Sequence, residues 1–482
     1  MMLSLEDVWQ ALSGQTFPFE DSRFKQGLTS VVIDSRLAEP GSLFVALHGE
    51  RTDGHKYVAH AVSRGAIAAL VEASVDLNCA LIDPQQPESV SPIAAEQAIC
   101  IKVDNTLEAL QQIAGYWRNR FSPVVVGVTG SVGKTSTKEI IAAVLSRRYV
   151  TGKSRGNLNN EIGVPLTLLE MDDRYEYMVL EMGMYDVGEI ADLCRIAKPS
   201  IGVVTNVGPV HLERAGSIER IAQGKTELVE TLPPNGWAIL NADDPLVSAM
   251  VEKTNARPFF YGLTDDADLW ADSIESEGLD GIRFRFHYGK DVLHVRVPLI
   301  GRHSVHTALR AAAVGLVAGL SWEEIVSGLQ DSDVQLRLVV ARGLHGATLL
   351  DDTYNASPAS TLAALNLLAD LDVGHGRRIG VLGDMLELGS YEEEGHRLVG
   401  ARAADVVDAL ITIGSRARWI AEEAVAAGLV KSQVRRVHGI PAAVALLREM
   451  IGPGDVVLVK GSRGSSMDEI VSALSLPRDE EQ

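Results

Sequence analysis

The sequence has few cysteines: three among 482 residues, at positions 79, 100 and 194. An odd number at such wide spacing fits neither a disulfide framework nor a zinc site. The pattern therefore predicts ordinary core cysteines in a protein of a reducing compartment.

Long apolar runs are also absent, since no stretch approaches the ~20 residues that a membrane-spanning helix requires. The N-terminus carries Glu6 and Asp7 where a secretory signal would carry positive charge. The spacing of Leu5, Val8 and Leu12 instead predicts a short amphipathic helix. We therefore expect a cytoplasmic protein that does not insert into a membrane.

Positive charge is in deficit, because 44 Lys and Arg face 64 Asp and Glu, for a net charge of -20. An acidic surface repels phosphate backbones, so we expect no nucleic-acid partner. Any phosphate ligand must be bound locally. The length exceeds what one core normally supports, which favours about three domains.

The first two of these domains differ in pattern. Residues 1–100 contain short strand-like runs, at 30–34 and 43–47, with turn signals between them, which predicts a small mixed α/β domain. Residues 101–331 alternate β-branched apolar runs with helical stretches, which predicts a central domain with a parallel sheet. Its predicted strands span 124–128, 177–181 and 201–206.

The last third of the chain, residues 332–482, repeats the alternation of buried strands and helices. This alternation predicts a second doubly wound, Rossmann-like α/β domain. Its predicted strands span 348–351, 379–382, 409–413 and 455–460.

The segment PVVVGVTGSVGKTSTKEIIAAVL predicts a phosphate loop between a buried strand and a helix. Glycines let backbone N–H groups converge on phosphates, Lys134 can reach the β and γ phosphates, and Thr135 can ligate magnesium. The full pattern asks for glycine where Val128 stands. The alternative is a glycine turn before a helix with a solvated lysine. We expect ATP binding by Gly130, Ser131, Gly133, Lys134, Thr135 and Ser136.

The shortened loop TGSVGKTSTKE resembles that of the Mur ligase family and of folylpolyglutamate synthetases. Further motifs are similar to the branch of the Mur family that adds D-alanyl-D-alanine. They are GNLNNEIGVPLTLL, LEMGMYDVGEI, TNVGPVHLE, DDTYNASP, VLGDMLELG and VLVKGSRGSSM. The segment at 34–55 resembles the domain with which such enzymes bind the UDP end of their substrate.

This resemblance implies an ATP-dependent ligase that joins D-alanyl-D-alanine to UDP-N-acetylmuramoyl-tripeptide through an acyl phosphate, releasing ADP and phosphate. It implies two Mg²⁺ sites and a monomer. It also implies that residues 332–482 bind the dipeptide and close over ATP, which would keep water from the acyl phosphate.

The resemblance implies four catalytic residues, Lys134, Glu181, His211 and Lys225. Glu181, His211 and Lys225 would also be metal ligands, together with Thr135, with Lys225 carbamylated. Carbamylation requires a neutral amine, so the site should lower the pKa of this lysine. Without the family, Glu181 could be a solvated strand-end carboxylate, His211 a surface residue and Lys225 a solvated helix lysine.

The nucleotide and substrate residues are also implied by the resemblance. ATP would contact Asn241, Arg337, Asp352 and Asn355. Many relatives carry asparagines where this chain has Ser304 and Thr307, so adenine contacts from these two are in doubt, and Ser304 could simply cap a helix. The substrates would contact Ser35, Arg36, Asn159, Asn160, Lys460, Ser462 and Arg463.

Three alternatives remain open. A sister Mur ligase or a folylpolyglutamate synthetase would use the same chemistry, although DDTYNASP and GDMLELG argue against both. A P-loop ATPase or GTPase switch would hydrolyse nucleotide slowly without an amino-acid acceptor. A nucleotide-binding scaffold without catalysis would leave the set of Lys134, Glu181, His211 and Lys225 unexplained.

Overall fold

The computed structural model describes residues 2–49, 52–94, 97–210, 212–331 and 338–476. The chain divides into two compact units. The first comprises residues 1–127, 149–183 and 189–200, and the second comprises residues 128–148, 184–188 and 201–482. Among the described helices, none is both long and apolar enough to cross a membrane. The three-domain boundaries stay a prediction.

The N-terminal part of the first unit is built on a five-stranded parallel sheet with strand order β1-β2-β3-β5-β4. Its strands are β1 (Val31–Val32), β2 (Leu43–Val45), β3 (Ala68–Val71), β4 (Cys79–Ile82) and β5 (Ala98–Lys102). Its helices are α1 (Leu5–Ser13), α2 (Ser22–Lys25), α3 (Val58–Ser63) and α4 (Thr106–Arg118).

Two features of this part refine the sequence prediction. The amphipathic helix at the N-terminus is confirmed, and Ser4 begins it with a capping box. The first strand is shorter than predicted, because the Asp34 side chain accepts from the backbone of Arg36 and starts a 3-10 turn. Of the three cysteines, Cys100 and Cys194 are buried and Cys79 is half-buried, and none is in a disulfide.

Between residues 124 and 204 the chain alternates strands and helices, as predicted. The elements are β6 (Val124–Thr129), α5 (Lys134–Leu145), β7 (Thr151–Lys153), α6 (Gly163–Leu169), β8 (Tyr177–Glu181), α7 (Glu189–Ala197) and β9 (Ile201–Val204). Strands β7 and β8 pair in parallel. Strand β8 is fully buried along its length and ends on a carboxylate, because the apolar run stops at Glu181.

The second unit continues with α8 (Leu212–Ala215), α9 (Ile218–Glu230), β10 (Trp237–Asn241), α10 (Pro245–Ser248), β11 (Arg257–Gly262), β12 (Leu269–Ser276), β13 (Ile282–Tyr288), β14 (Asp291–Val297), α11 (Val305–Val317) and α12 (Trp322–Leu329). Strands β9 to β12 are parallel neighbours in chain order. Strands β12, β13 and β14 are antiparallel. The prediction of a parallel sheet therefore holds for β7 with β8 and for β9 to β12, whereas β13 and β14 depart from it.

The C-terminal part of the second unit has a six-stranded sheet with strand order β15-β16-β20-β17-β18-β19. The strands are β15 (Val339–Arg342), β16 (Thr348–Asp352), β17 (Arg378–Gly383), β18 (Ala409–Ile413), β19 (Val434–Val437) and β20 (Val456–Lys460). The helices are α13 (Pro358–Asp370), α14 (Glu392–Val406), α15 (Arg418–Ala426), α16 (Ile440–Met450) and α17 (Asp468–Leu474).

Two separate cores flank this sheet, and both take residues from the same strands. Leu350 and Leu458 belong to one core, whereas Leu349 and Val457 belong to the other. Because successive strand residues point to opposite faces, both faces of the sheet are covered. Among the described strands of this sheet, β15 alone runs antiparallel to its neighbour. The predicted doubly wound α/β class is confirmed.

Candidate functional site

The predicted phosphate loop lies in the second unit, between the end of β6 at Thr129 and the start of α5 at Lys134. Gly133 precedes the helix in a left-handed conformation with φ of 85°. No side chain caps this helix, because the residue before it is a glycine. A helix N-terminus built in this way favours an anionic ligand.

Position 130 requires glycine because the residue after a neighbouring strand, Thr205, lies too close to leave room for a β-carbon. A β-carbon at this position would lie 1.9 Å from Thr205 Oγ1 and 3.0 Å from the Thr205 backbone nitrogen. The backbone φ of Gly130 is 138°, which side chains rarely adopt. The loop is therefore a cradle that only glycine allows at this point.

The segment after β9 holds the loop in place. Thr205 Oγ1 donates to the carbonyl of Val132 over 2.7 Å, and Asn206 Oδ1 accepts from the Val132 N–H over 3.0 Å. The Ser131 hydroxyl accepts from the Gly208 N–H over 2.8 Å. Ser131 thus positions the loop. Sequence reasoning missed Thr205 and Asn206, although both directly follow a buried strand.

Two lysines of the second unit face the same region. Lys134 Nζ donates to the carbonyl of Gly130 over 2.7 Å and to that of Ser131 over 3.3 Å. Lys225 lies within α9 and is only 3% exposed. Burial lowers the pKa of Lys225 well below its ordinary value, and the positive charge of Lys134 lowers it further. A solvated helix lysine is therefore not what the structure shows at Lys225.

Glu181 and the asparagine pair lie in the first unit. Glu181 is 1% exposed, accepts a hydrogen bond from Asn159 Nδ2 over 2.8 Å, and its N–H donates to Ser154 Oγ over 3.0 Å. The alternative of a solvated carboxylate therefore fails. Asn160 plays a different part, because its Oδ1 accepts from the Gly163 N–H and fixes the start of α6.

The two residues predicted to contact UDP are placed very differently within the first unit. Ser35 is buried and its hydroxyl lies 3.0 Å from Nδ1 of His60. Arg36 is exposed and pairs with Asp34 over 2.6 Å. Hydrogen bonds from Arg36 lower the pKa of Asp34 to about 2. Arg36 alone of the two thus presents a charged group to solvent.

A cluster of His48, Asp53 and His55 has the spacing of a metal site. However, His55 Nε2 accepts from the backbone N–H of Glu72 over 2.9 Å. The proton of this imidazole must therefore reside on Nδ1, which lies 2.7 Å from Asp53 Oδ1. His55 has no lone pair left for a metal in this arrangement, so its role here is structural.

At the strand ends of the C-terminal part, Lys460 is buried and inward-facing. Its Nζ donates to Asp352 Oδ2 over 2.6 Å and to the carbonyl of Asn355 over 2.9 Å. Ser462 is also buried, and its hydroxyl accepts from the Leu386 N–H over 2.9 Å.

Arg463 is the exposed member of the predicted dipeptide-binding set. Its guanidinium carbon lies 5.8 Å from the ring centre of Tyr354. The structure thus brings Lys460 to Asp352 and Asn355, and leaves Arg463 as the group that a ligand can reach.

The residues predicted on the adenine side make internal contacts. Asn241 Nδ2 donates to the carbonyl of Thr205 over 3.0 Å. Ser304 immediately precedes α11 but makes no capping bond, and its hydroxyl instead donates to the carbonyl of Ile300. The interpretation of Ser304 as a helix cap is therefore wrong. Thr307 Oγ1 accepts from Arg310 over 3.2 Å.

Two predicted residues, His211 and Arg337, lie outside the described residues. Ser136 lies in the first turn of α5 and is half-buried. The site residues as a set stay a prediction, although the loop, Glu181 and Lys225 have surroundings that suit their predicted roles.

Three family profiles match the chain in order along its length. The profile of the Mur ligase family catalytic domain matches residues 28–118, that of the Mur ligase middle domain matches residues 128–315, and that of the Mur ligase glutamate ligase domain matches residues 336–463.

Known relatives resemble the chain over nearly all of its length. The UDP-N-acetylmuramoyl-tripeptide--D-alanyl-D-alanine ligase of Bacillus subtilis (strain 168) is 37% identical over 450 residues, covering 92% of each chain. A crystal structure of MurF from Acinetobacter baumannii is 29% identical, with a TM-score of 0.81 and 97% of each chain covered. The MurF ligase of Thermotoga maritima in complex with ADP is 27% identical, with a TM-score of 0.76, covering 92% of this chain and 96% of that one.

Proposed function

This chain belongs to the Mur ligase family, and from that premise we propose that it joins D-alanyl-D-alanine to UDP-N-acetylmuramoyl-tripeptide at the expense of ATP. The family resemblance predicted from the motifs is confirmed. As a Mur ligase, the chain is an ATP-dependent enzyme that forms amide bonds.

The choice of substrates is supported by the name of the Bacillus subtilis relative. The alignment with that relative covers 92% of each chain. The use of ATP is supported by the cradle at Gly130 and by the Thermotoga maritima neighbour, which was solved with ADP. The single observation that carries the proposal is the loop between β6 and α5. In this loop Gly130 allows a close approach of the backbone, α5 begins without a side-chain cap, and Lys134 Nζ donates to the carbonyl of Gly130.

Amide formation from a carboxylate requires a better leaving group than oxide. The carboxylate of the tripeptide therefore takes the γ phosphoryl group of ATP, ADP leaves, and an acyl phosphate results. The amine of the dipeptide then attacks the acyl carbon, phosphate leaves, and the nitrogen loses a proton. The protein's contribution is to position the reactants and to neutralise developing charge. The loop N–H groups and Lys134 carry out this task on the phosphates.

Magnesium fits the donor set that the resemblance names, because the Thr135 hydroxyl and the Glu181 carboxylate are the hard oxygen ligands that this ion prefers. An ion held by these residues would supply positive charge to neutralise the phosphates during transfer. Asn159 donates to Glu181 and so fixes the orientation of its carboxylate. His211 completes the proposed ligand set together with Lys225.

Lys225 is proposed to be carbamylated. The reaction joins the neutral amine to CO₂ and releases one proton, so it depends on the unprotonated lysine. The burial of Lys225 and the charge of Lys134, which lower its pKa, favour that form. The carbamate is an anion able to orient a magnesium ion, which an ammonium group cannot do.

In the C-terminal part, Asp352 is the proposed acceptor for the ribose hydroxyls, with Arg337 at the phosphates. Lys460 holds the Asp352 carboxylate over 2.6 Å, which supports a positioning role for this lysine. Arg463 offers a planar fork for the carboxylate of the dipeptide. The nearby Tyr354 ring supports the guanidinium from one side.

In the first unit, Asn159 is the proposed contact to the muramoyl peptide, and Arg36 and Ser35 are the proposed contacts to the UDP end, with the Ser35 hydroxyl 3.0 Å from His60 Nδ1. Residues 1–100 are accordingly the proposed UDP-substrate domain. Residues 101–331 are the proposed ATP-binding domain, and residues 332–482 the dipeptide domain. The protein would act as a monomer on small-molecule substrates.

The proposal is tested by incubating the purified protein with Mg-ATP, UDP-N-acetylmuramoyl-tripeptide and a panel of dipeptides, followed by mass spectrometry. We expect a product heavier than the tripeptide substrate by one dipeptide minus water, formed with D-alanyl-D-alanine. Phosphate release should require both acceptor and donor. Phosphate release without either substrate would instead support an ATPase switch.

Lys134→Ala should abolish product formation because the loop loses its only lysine. Lys431→Ala, at an exposed position of the second unit, is the matched control and should retain full activity. Full activity of Lys134→Ala would refute the assignment of the phosphate loop.

A further inference from the structure

A buried arginine lies behind the phosphate loop, at a position that no motif singled out. Arg310 is in α11 and is 4% exposed. Its Nε donates to the carbonyl of His306 over 2.9 Å, and its second terminal nitrogen donates to Thr307 Oγ1 over 3.2 Å. Its guanidinium carbon lies 5.8 Å from the ring centre of Tyr261. A full positive charge is thus taken out of water.

No carboxylate pairs with Arg310 among the residues that the structure describes. Asp243, a nearby acid on the same side of α11, instead contacts His306 Nε2 over 2.7 Å. A guanidinium remains protonated at any physiological pH. Because a buried charge is strongly unfavourable without a counter-charge, a cation in this setting calls for an anionic partner.

The guanidinium is next to Gly133, the glycine that precedes α5. A β-carbon at Gly133 would lie 3.7 Å from both terminal nitrogens of Arg310. The Tyr261 hydroxyl donates to the carbonyl of Thr205 over 3.1 Å, and Thr205 in turn donates to Val132 in the loop. Arg310 therefore lies next to the turn at Gly133, and Tyr261 is linked to the same turn through Thr205.

We propose that Arg310 is a positioning residue for the nucleotide: its buried guanidinium supports the Gly133 turn from behind and supplies positive potential to the bound triphosphate. The inference rests on the proposed function and adds to it a cation that the loop motif does not contain. Charges interact more strongly through the protein interior than through water. The counter-charge that Arg310 lacks in the free protein is thus provided by the ligand.

This arrangement has a measurable consequence for stability. In the free protein the buried cation opposes folding, whereas in the nucleotide complex it favours the bound state. Replacing Arg310 with a neutral residue of similar length should therefore leave the melting temperature of the free protein unchanged or raise it. The same replacement should reduce the increase in melting temperature that nucleotide produces.

The experiment compares wild type with Arg310→Met, Arg310→Gln and Arg310→Lys. Calorimetric titration gives the Kd for AMP-PNP and for AMP, both with Mg²⁺ and at fixed salt. We expect Arg310→Met and Arg310→Gln to weaken AMP-PNP binding about tenfold or more and AMP binding much less, because the effect scales with phosphate charge. The Arg310→Lys variant should retain most of the AMP-PNP affinity. If Arg310→Met does not fold, the comparison uses Arg310→Gln.

Arg118→Met is the matched control. Arg118 is also a buried arginine, but it donates to backbone carbonyls, including those of Ala197 and Phe121. Its loss should lower the melting temperature and leave the ratio of AMP-PNP to AMP affinity unchanged.

Two results would overturn the inference while leaving the proposed function intact. One is wild-type AMP-PNP affinity in both Arg310→Met and Arg310→Gln. The other is an equal loss of AMP and AMP-PNP affinity together with a fall in melting temperature, which would indicate a purely structural arginine. If wild type itself failed to bind AMP-PNP, the proposed function would fail first and the inference with it.

Discussion

Replacing Gly130 with alanine would place a methyl carbon 1.9 Å from Thr205 Oγ1, 2.9 Å from Thr205 Cβ and 3.0 Å from its backbone nitrogen. Rotation of the threonine side chain cannot remove the contacts with Cβ and the backbone, so the loop itself must shift. The φ of 138° adds strain of about 1–3 kcal/mol for a residue with a β-carbon. Overpacking adds about 1–3 kcal/mol.

A loss of about 3 kcal/mol corresponds to a decrease of roughly 100-fold in kcat/KM for ATP. Most of the loss should appear in this parameter, because the loop relieves the clash by moving away from the geometry that binds phosphate. The melting temperature should fall by only a few degrees. The assay is product formation at varied ATP, with thermal unfolding measured on the same samples.

Two further variants make the Gly130 test specific. Gly115→Ala is the matched control, because a β-carbon there meets nothing within 4 Å, and we expect unchanged activity. Adding Thr205→Ala to Gly130→Ala removes the 1.9 Å contact but not the backbone contact, so recovery should be partial. Wild-type kcat/KM for ATP in Gly130→Ala would refute the view that the loop is a tight cradle.

Three other outcomes are expected. Lys225→Arg keeps the positive charge but cannot form a carbamate, so activity should fall at least 100-fold. The carbamate signal that NMR with ¹³C-bicarbonate should detect in the wild type should be absent from this variant. Retained activity would contradict carbamylation. Burial raises the pKa of Asp455, but hydrogen bonds from Arg377 outweigh this and hold it below its ordinary value. The stabilisation by the Asp455–Arg377 pair should be complete above about pH 4 and be lost as the pH falls below that value. Asp455→Asn should lower the free energy of unfolding in urea by about 2 kcal/mol at pH 7. A variant as stable as the wild type would show that the pair contributes nothing. Small-angle scattering should show a smaller radius of gyration with nucleotide and substrate than without, and an unchanged radius would argue against closure.

The parts of the fold that could be predicted from sequence are those in which local pattern and burial agree. The run that ends at Glu181 is apolar through Leu180, and the structure has a fully buried strand there. The hairpin of β13 and β14 was missed, although β13 alternates buried and exposed side chains. One sheet can contain both parallel and antiparallel strand pairs, and the pattern of the preceding βα units does not predict where the pairing changes.

Within the site, the sequence indicated which residues carry chemistry but not which of them face inward. The sequence places Lys460 as a charged residue at a strand end, where a side chain could face solvent. In the structure its ammonium group is buried against Asp352. Arg310 stands in an alanine-rich helix and had no role assigned from the sequence, and its position next to Gly133 depends on a contact between residues 177 positions apart in the chain. Such long-range contacts are set by tertiary packing, which local pattern does not encode.

The most direct test of the central claim is a crystal structure of the protein with AMP-PNP and Mg²⁺. We expect the β and γ phosphates to accept hydrogen bonds from the loop at residues 130–135, with Lys134 turned from the Gly130 carbonyl towards the phosphate oxygens. A nucleotide bound elsewhere, or a loop that makes no contact with its phosphates, would contradict the account.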